Sequence, residues 1–161
     1  MKRSRSKTRI KKIDKTDCDI IRILQKDGRL SNTMIAKKLG VSEATVRARL
    51  SRLINEEYIQ IVAVGNPIKL GFDIVGMIHF QTELSKVDSI IKELKKLKPI
   101  WFIVQTTGNI DIYAEFNIKS LYELNELINK KINKIDGIIR TEISLILGYA
   151  KRQYDWGTAL E

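Results

Sequence analysis

Apolar residues in the first third of the chain recur every three or four positions, the spacing that places them on one side of an α-helix. Short polar segments that contain a glycine interrupt this pattern twice. Ser and Asp are favourable N-caps, and a glycine can adopt the positive φ that ends a helix. Three helices are therefore predicted, with the bounds Asp14 to Asp27, Ser31 to Gly40 and Ser42 to about Glu57.

Each predicted helix has an apolar side that is expected to face a common core. These positions are Ile20, Ile21, Ile23 and Leu24 in the first helix, Met34, Ile35, Ala36 and Leu39 in the second, and Val46, Leu50, Leu53 and Ile54 in the third. Val41 is expected to fill the angle between the second and third helices. Two helices joined by a tight turn form a helix-turn-helix, whose second helix enters the major groove of DNA.

Polar and basic residues of the third helix fall outside its apolar stripe and are the candidate DNA contacts. Arg47, Arg49 and Arg52 are expected to divide between phosphates and base edges. The other candidates are Ser42, Ala44 and Thr45 in the first turn, which comes closest to base edges, and Lys37 and Lys38 on the preceding helix as backbone contacts. The alternative is that the arginines form a solvated helix face.

The pattern changes after the breaker Gly65-Asn66-Pro67, because strand-like alternation now separates two helical segments. The predicted elements are strands at 74–82, 100–106, 110–116 and 138–150 and helices at 87–97 and 120–133. This β-α-β-β-α-β order is the ferredoxin-like plan. A further strand, Tyr58 to Val64, is predicted before the breaker.

The fold class is therefore α+β, with an N-terminal helix-turn-helix (winged-helix-like) domain and a C-terminal ferredoxin-like βαββαβ domain. The predicted divisions are a basic disordered arm at 1–12, the helix-turn-helix at 13–60, a strand linker at 61–72, the ferredoxin-like domain at 73–151 and a tail at 152–161. One sheet face is expected to be covered by a second copy of the chain, since apolar or aromatic side chains such as Met77, Trp101 and Tyr113 are predicted to lie there.

Charge strengthens the nucleic-acid interpretation. The chain of 161 residues carries a net charge of +10. Residues 1–60 hold 16 Lys and Arg against 7 Asp and Glu, whereas residues 61–161 hold 13 against 12. The excess lies with the helix-turn-helix, as expected if only that domain contacts phosphates.

Several other classes of protein are disfavoured by composition. Cys18 is the one cysteine, which excludes an intrachain disulfide, and His79 is the one histidine, so no clustered metal site is predicted. No apolar run is long enough to span a membrane, and the basic N-terminus lacks the apolar core of a secretory signal. A cytoplasmic protein without a cofactor is expected.

The chain resembles the Lrp/AsnC family of transcription regulators, in its archaeal form, over residues 13 to about 150. The resemblance rests on three segments. The first comprises IDKTD at 13–17 and IIRILQKDGR at 20–29 and looks like the first-helix signature of the family. The recognition helix is matched by Ser42, Val46-Arg47, Arg49 and Arg52-Leu53, and the turn of the effector-binding domain is matched by Thr107-Gly108-Asn109-Ile110-Asp111. Two positions depart from the family pattern. Glu57 stands where the family usually has a glycine, and Asn109 stands where an acidic residue is common.

The resemblance implies a homodimer on double-stranded DNA that assembles further to a tetramer or octamer. It also implies a small-molecule effector, an amino acid, at an oligomer interface near the turn between the second and third strands. The residues implied there are Gly108 and Asp111, supported by Thr106, Asn109, Thr141 and Ser144. Asn109 removes a negative charge and favours a neutral amino acid. The alternative is that the sequence TTGNID is only a good hairpin turn, which Asp111 caps.

Two rival functions use the same architecture. An architectural protein would coat DNA with little sequence preference and without an effector, which the basic arm would suit. A sirohaem-decarboxylase-like enzyme would need a porphyrin pocket with histidine and arginine groups. The single histidine and the distribution of basic residues argue against that enzyme, so a non-enzymatic regulator is expected.

Overall fold

The computed structural model describes residues 13–159 of the chain. They divide into two compact units. The first unit ends at Ala63 and also takes in the described part of the C-terminal tail, from Lys151 onwards. The second unit spans Val64–Ala150. The predicted basic arm, 1–12, lies outside the described residues.

The first unit contains the three predicted helices, which are α1 (Lys15–Lys26), α2 (Asn32–Leu39) and α3 (Glu43–Asn55). Their N-caps are the predicted ones. The Asp14 carboxylate accepts from the Asp17 backbone N–H, and the Asp17 carboxylate accepts from the Asp14 backbone N–H, which makes a reciprocal capping box. The Ser31 hydroxyl caps α2 by accepting from the Met34 backbone N–H, and the Ser42 hydroxyl caps α3 by accepting from the Thr45 backbone N–H. Gly40 ends α2 with φ of 66°, as predicted.

A small core joins these helices. It consists of Ile20, Ile21, Leu24, Ile35, Ala36, Val46 and Leu53, with Leu39, Val41 and Leu50 packed at its border. Two predicted core positions were wrong, since Met34 is 48% exposed and Ile54 is 41% exposed. Both lie at the flank of their apolar stripe, where the direction of the neighbouring helix decides whether a side chain is covered.

The second unit is a four-stranded antiparallel sheet covered by helices on one face. Its elements are β1 (Ile74–Thr82), α4 (Val87–Leu94), β2 (Ile100–Gln105), β3 (Ile112–Ile118), α5 (Leu121–Asn125) and β4 (Ile138–Leu145). The strand order is β2-β3-β1-β4. Alternate residues of β1 and β3 pack with the helices around Phe80 and Phe116, both fully buried. The predicted ferredoxin-like plan is confirmed.

The helix predicted at 87–97 ends at Leu94, and the strand predicted at 110–116 spans Ile112–Ile118. Three other predicted elements differ more from the observed ones. Among residues 13–159, the stretch 59–66 forms no strand, because no described strand lies beside it to complete its hydrogen bonds. The last strand ends at Leu145 because its partner β1 begins near that point. The second long helix continues from α5 as a π-helix, Glu126–Lys131, which lets Leu127 and Ile132, five residues apart, both enter the core.

The sheet face opposite the helices carries a row of rings. The ring centroids of His79 and Tyr113 are 5.4 Å apart, and those of Phe102 and Tyr113 are 6.2 Å apart. Met77 lies on this face beside Glu115, and Trp101, at the bulge of β2, is 59% exposed. Burial and the nearby Glu115 carboxylate, to which the Tyr113 hydroxyl donates, raise the pKa of Tyr113 to about 12.

Candidate DNA-binding and effector sites

The start of α3 is held by its own side chains. The Ser42 hydroxyl accepts from the Thr45 backbone N–H at 3.1 Å and shares a hydrogen bond of 2.8 Å with the Thr45 hydroxyl. The predicted DNA contacts Ser42 and Thr45 therefore also define the first turn. Because backbone N–H groups at a helix N-terminus point away from the helix, those of this turn can donate to phosphate oxygens.

One side of α3 is open to solvent along its whole length. The exposed residues on it are Ala44, Arg47, Ala48, Ser51 and Asn55. The side chain of Arg47 is 67% exposed. Small residues dominate this face, so it can approach another surface closely. The predicted DNA contacts Ala44 and Arg47 lie on this face, and so do Ala48, Ser51 and Asn55, which the prediction did not include although their spacing opposite the apolar stripe indicates the same face.

Arg49 and Arg52 have a role that sequence reasoning did not foresee. One Arg49 nitrogen donates to both Asp14 oxygens at 2.8 and 2.7 Å and to Asp17 Oδ1 at 3.0 Å. Arg52 Nη2 donates to Asp17 Oδ2 at 2.5 Å, and its Nη1 approaches Glu56 at 3.4 Å. These guanidinium groups join α3 to α1, which is a structural role, and their contact with DNA stays a prediction.

The ion pairs change the titration of both carboxylates. Burial opposes ionisation of Asp17, but the Asp14 backbone N–H and the guanidinium groups of Arg49 and Arg52 lower its pKa overall. Hydrogen bonds from Arg49 and from the Asp17 backbone N–H lower the pKa of Asp14. Asp17 is 1% exposed, so its charge is stabilised only by these neighbours.

The two predicted lysines, Lys37 and Lys38, are exposed near the C-terminal end of α2. Their ammonium groups lie on flexible stems, which suits contact with phosphates more than discrimination between bases.

Four of the six predicted effector residues, namely Thr106, Gly108, Asn109 and Asp111, lie around the β2–β3 turn. Gly108 has φ of 103°, and no described atom lies within 4 Å of the place a Cβ would occupy. Asp111 Oδ2 accepts from the Thr82 backbone N–H at 2.7 Å and from the Thr82 hydroxyl at 3.3 Å. The Thr106 hydroxyl donates to the Ile110 carbonyl. The carboxylate therefore binds the end of β1 and not the β2–β3 turn itself, and its contact with an effector stays a prediction.

Asn109 belongs to the same group of contacts, since its backbone carbonyl accepts from the Gln81 side-chain amide at 2.9 Å. Thr141 and Ser144 cannot both belong to this group of contacts, because they lie on opposite faces of the sheet. Thr141 pairs with Phe80 and faces the helices, whereas Ser144 pairs with Met77 and lies on the opposite face of the sheet. An odd separation along a strand places two side chains on opposite faces, so one site cannot use both equally.

Residues 13–159 were also considered for a metal site, for a reactive cysteine or histidine and for a membrane-spanning helix. Within that range no group of three or more His, Cys, Asp and Glu side chains is arranged to hold a metal ion. Cys18 is a buried free thiol in the helical core, and His79 packs against Tyr113. In the part of the chain that the structure describes, no helix has the length and apolar character needed to cross a membrane.

Comparison with known proteins assigns both units to families. The model for winged helix-turn-helix DNA-binding domains matches residues 13–60, and the Lrp/AsnC ligand binding domain matches residues 76–156. The chain belongs to the Lrp/AsnC family of transcription regulators.

Relatives of this Lrp/AsnC protein occur among archaea. An uncharacterized HTH-type transcriptional regulator of Pyrococcus abyssi is 40% identical over 148 residues, which cover 91% of each chain. The regulator LrpA of Pyrococcus horikoshii is 34% identical over 136 residues, covering 84% of this chain and 96% of LrpA. These relatives are named as regulators, in agreement with the expected DNA-binding function.

Solved structures share the fold. AsnC of E. coli has a TM-score of 0.78 at 25% identity and covers 89% of this chain and 97% of its own. A transcriptional regulator from Neisseria meningitidis was solved in complex with L-Met. It has a TM-score of 0.79 at 18% identity, and the match covers 89% of this chain and 96% of the Neisseria chain. The N-terminal helix-turn-helix and the C-terminal α+β domain are thus those of an Lrp/AsnC regulator.

One departure from the family pattern has a visible consequence in this Lrp/AsnC protein. Glu57 follows Glu56, the C-cap of α3, and has φ of 61°, the one positive φ of a non-glycine residue among residues 13–159. This is the left-handed conformation that a glycine adopts without strain. Glu57 therefore adopts the conformation that suits a glycine, the residue that the family usually has at this position.

Proposed function

We propose that this Lrp/AsnC regulator binds DNA sequence-specifically as a homodimer, with an α3 helix of each copy in the major groove. An amino acid or a similar small effector, bound at an oligomer interface, modulates that binding. The observation that carries the proposal is the open face of α3, on which Arg47 stands among small side chains.

The geometry of α3 supports entry into the groove. Its inner side is covered by the helical core, whereas Ala44, Ala48 and Ser51 leave the outer side narrow. The major groove is about 12 Å wide and accepts an α-helix of this kind. Exposed Lys37 and Lys38 on α2 supply charge for the flanking phosphates.

Two apolar surfaces support a homodimer. The linker that follows α3 exposes Ile61, Val62 and Val64, which are 49%, 68% and 52% exposed, and an exposed β-branched segment of this kind pairs readily with a strand from another copy. On the sheet face opposite the helices, Trp101 and Phe102 are 59% and 41% exposed. A symmetric dimer would cover both surfaces, and two α3 helices would then meet successive grooves about one helical turn apart.

The effector proposal rests on the ligand-binding family of the C-terminal unit and on the open backbone at Gly108. The Neisseria regulator of the same fold was solved with L-Met, so an amino acid is the class of ligand to examine first. Thr106, Asn109 and Asp111 surround this turn. Of Thr141 and Ser144, only Thr141 lies near the same end of β1.

The DNA-binding proposal is tested by incubating the purified protein with sheared genomic DNA at about 150 mM salt and sequencing the bound fragments. A few sharp peaks that share a palindrome are expected. A flat profile with strong total binding would instead indicate the architectural function, and no binding would contradict both.

The effector proposal is tested by thermal unfolding of the purified protein with each amino acid in turn, with light scattering to follow its assembly. A ligand that binds the native state raises the unfolding temperature, and a neutral amino acid is expected to do so. In Asn109→Asp, the added carboxylate is expected to shift the preference toward cationic amino acids. If no amino acid changes unfolding or assembly in either protein, the amino-acid effector is wrong.

A further inference from the structure

The first residue of α3 is an acid that sequence reasoning did not select. Glu43 Oε2 accepts from the Thr33 hydroxyl of α2 at 2.8 Å, and Oε1 accepts from Nη2 of Arg47, one turn further along α3. The carboxylate is thus held by both helices of the helix-turn-helix. Its position is set before any DNA arrives.

The pair retains unused hydrogen-bonding capacity. A carboxylate has about four acceptor positions and a guanidinium has five N–H donors. The contacts with Thr33 and Arg47 use two of those acceptor positions. The side chains of Glu43 and Arg47 are 41% and 67% exposed, so both can meet a further partner. Hydrogen bonds from Thr33 and then from Arg47 lower the pKa of Glu43, which keeps it an acceptor at neutral pH.

Helix capping does not account for this acid. The Ser42 hydroxyl already caps α3. An acid in the first turn favours the helix dipole modestly, but a carboxylate on a groove-facing surface repels phosphates. Its distinctive property there is acceptance of hydrogen bonds, and the major-groove edge offers donors only at cytosine N4 and adenine N6.

We propose that Glu43 determines the base preference of this regulator by accepting from the N4 amino group of a cytosine, while Arg47 donates to O6 and N7 of a guanine. This inference rests on the proposed function, because it requires α3 to lie in the major groove. Residues in the first turns of a recognition helix are those that contact base edges. Ala44 and Ala48, exposed beside the pair, are small enough to admit the bases.

The experiment is selection of a random double-stranded DNA library by full-length wild type, Glu43→Gln and Glu43→Ala, followed by sequencing. Wild type is expected to prefer C at one position of each half-site. Glutamine offers a donor as well as an acceptor and pairs with adenine, so Glu43→Gln is expected to change that preference from C to A. Glu43→Ala is expected to lose about tenfold of discrimination at that position alone.

The same helix provides a matched control. Arg52 and Glu56 form an Arg–Glu pair with the same four-residue spacing near the other end of α3. Glu56→Gln removes a comparable charge and is expected to leave every base preference unchanged. Thermal unfolding of each variant measures effects on folding, which a merely structural role of Glu43 would show without any change in base preference.

The outcomes separate the inference from the function on which it rests. A selective wild type whose preferences survive in Glu43→Gln overturns the inference alone. So does a uniform gain in affinity for all sequences in Glu43→Ala, since the carboxylate would then only repel phosphates. A wild type without any base preference overturns both the sequence-specific function and the role of Glu43.

Discussion

Arg52, in the last turn of α3, donates to the carboxylate of Asp17 in the first turn of α1 across 2.5 Å. Asp17 also accepts from Arg49 at 3.0 Å and is 1% exposed. A buried carboxylate is tolerated when hydrogen bonds and charge compensate its lost hydration. Arg49 and Arg52 therefore hold α3, the helix that we propose to enter the major groove, against α1.

Removing this carboxylate should destabilise the first unit. In Asp17→Asn, the guanidinium groups of Arg49 and Arg52 lose their buried anion, and we expect a loss of about 2–3 kcal/mol of unfolding free energy. Urea denaturation followed by circular dichroism measures it. The control is Asp19→Asn, which breaks only the partly exposed pair with Arg22 and should cost under about 1 kcal/mol. Equal losses in the two variants would contradict the structural role of Asp17.

The same carboxylate should make stability depend on pH. Its pKa is lowered in the folded state from the ordinary value of 3.8. The stabilisation is therefore fully present above that value and is lost as the pH falls through the lowered folded pKa. Urea midpoints measured between pH 7 and pH 2.5 should fall steeply at the acidic end. Asp17→Asn should show a shallower decline, and an unchanged decline would argue that other groups control acid unfolding.

Glu57 offers a stabilising substitution. Its φ of 61° is strained for a side chain with a Cβ, so Glu57→Gly should raise the unfolding free energy by about 0.5–1 kcal/mol despite the greater freedom of glycine in the unfolded chain. Thermal unfolding is the measurement. The neighbour Glu56 has φ of −89°, so Glu56→Gly should destabilise, and a gain there of similar size would rule out relief of strain as the cause.

Gly76 in β1 should tolerate no side chain. A Cβ there would lie 2.6 Å from Phe116 Cζ and 2.6 Å from the Ser144 carbonyl oxygen. Gly76→Ala should therefore cost about 1–3 kcal/mol of unfolding free energy, because a buried ring and a neighbouring strand would have to move. Urea denaturation of the second unit tests this. Gly148→Ala, where nothing lies within 4 Å, is the control and should be nearly neutral.

Much of the local structure followed from the order of residues. Asp14, Ser31 and Ser42 cap the three helices as predicted, because an N-cap depends on contacts within one turn. Glu57, at the position where the family usually has a glycine, is left-handed in the structure. The βαββαβ order followed from the alternation of apolar residues with period two and about 3.6.

The exposed face of α3, which we propose as the DNA-binding surface, was only partly predictable. Helical periodicity separates the buried side of α3 from its exposed side, which was sufficient to select Arg47 and Ala44. Periodicity cannot show that Arg49 and Arg52 meet carboxylates of α1, more than thirty residues away in the chain. It also could not show that Thr33 of α2 holds Glu43, because a contact between helices depends on how they cross.

The amino-acid sequence thus determined most element types, the helix caps and the location of the excess charge, and its three motifs indicated the family that the chain resembles. Only the tertiary structure decided which side chains meet. It paired Asp17 with two arginines, joined Asp111 to Thr82, separated Thr141 from Ser144 and left residues 59–66 without a strand partner. The physical reason is that caps and periodicity are local properties, whereas ion pairs, strand registers and burial require segments distant in the chain to come together.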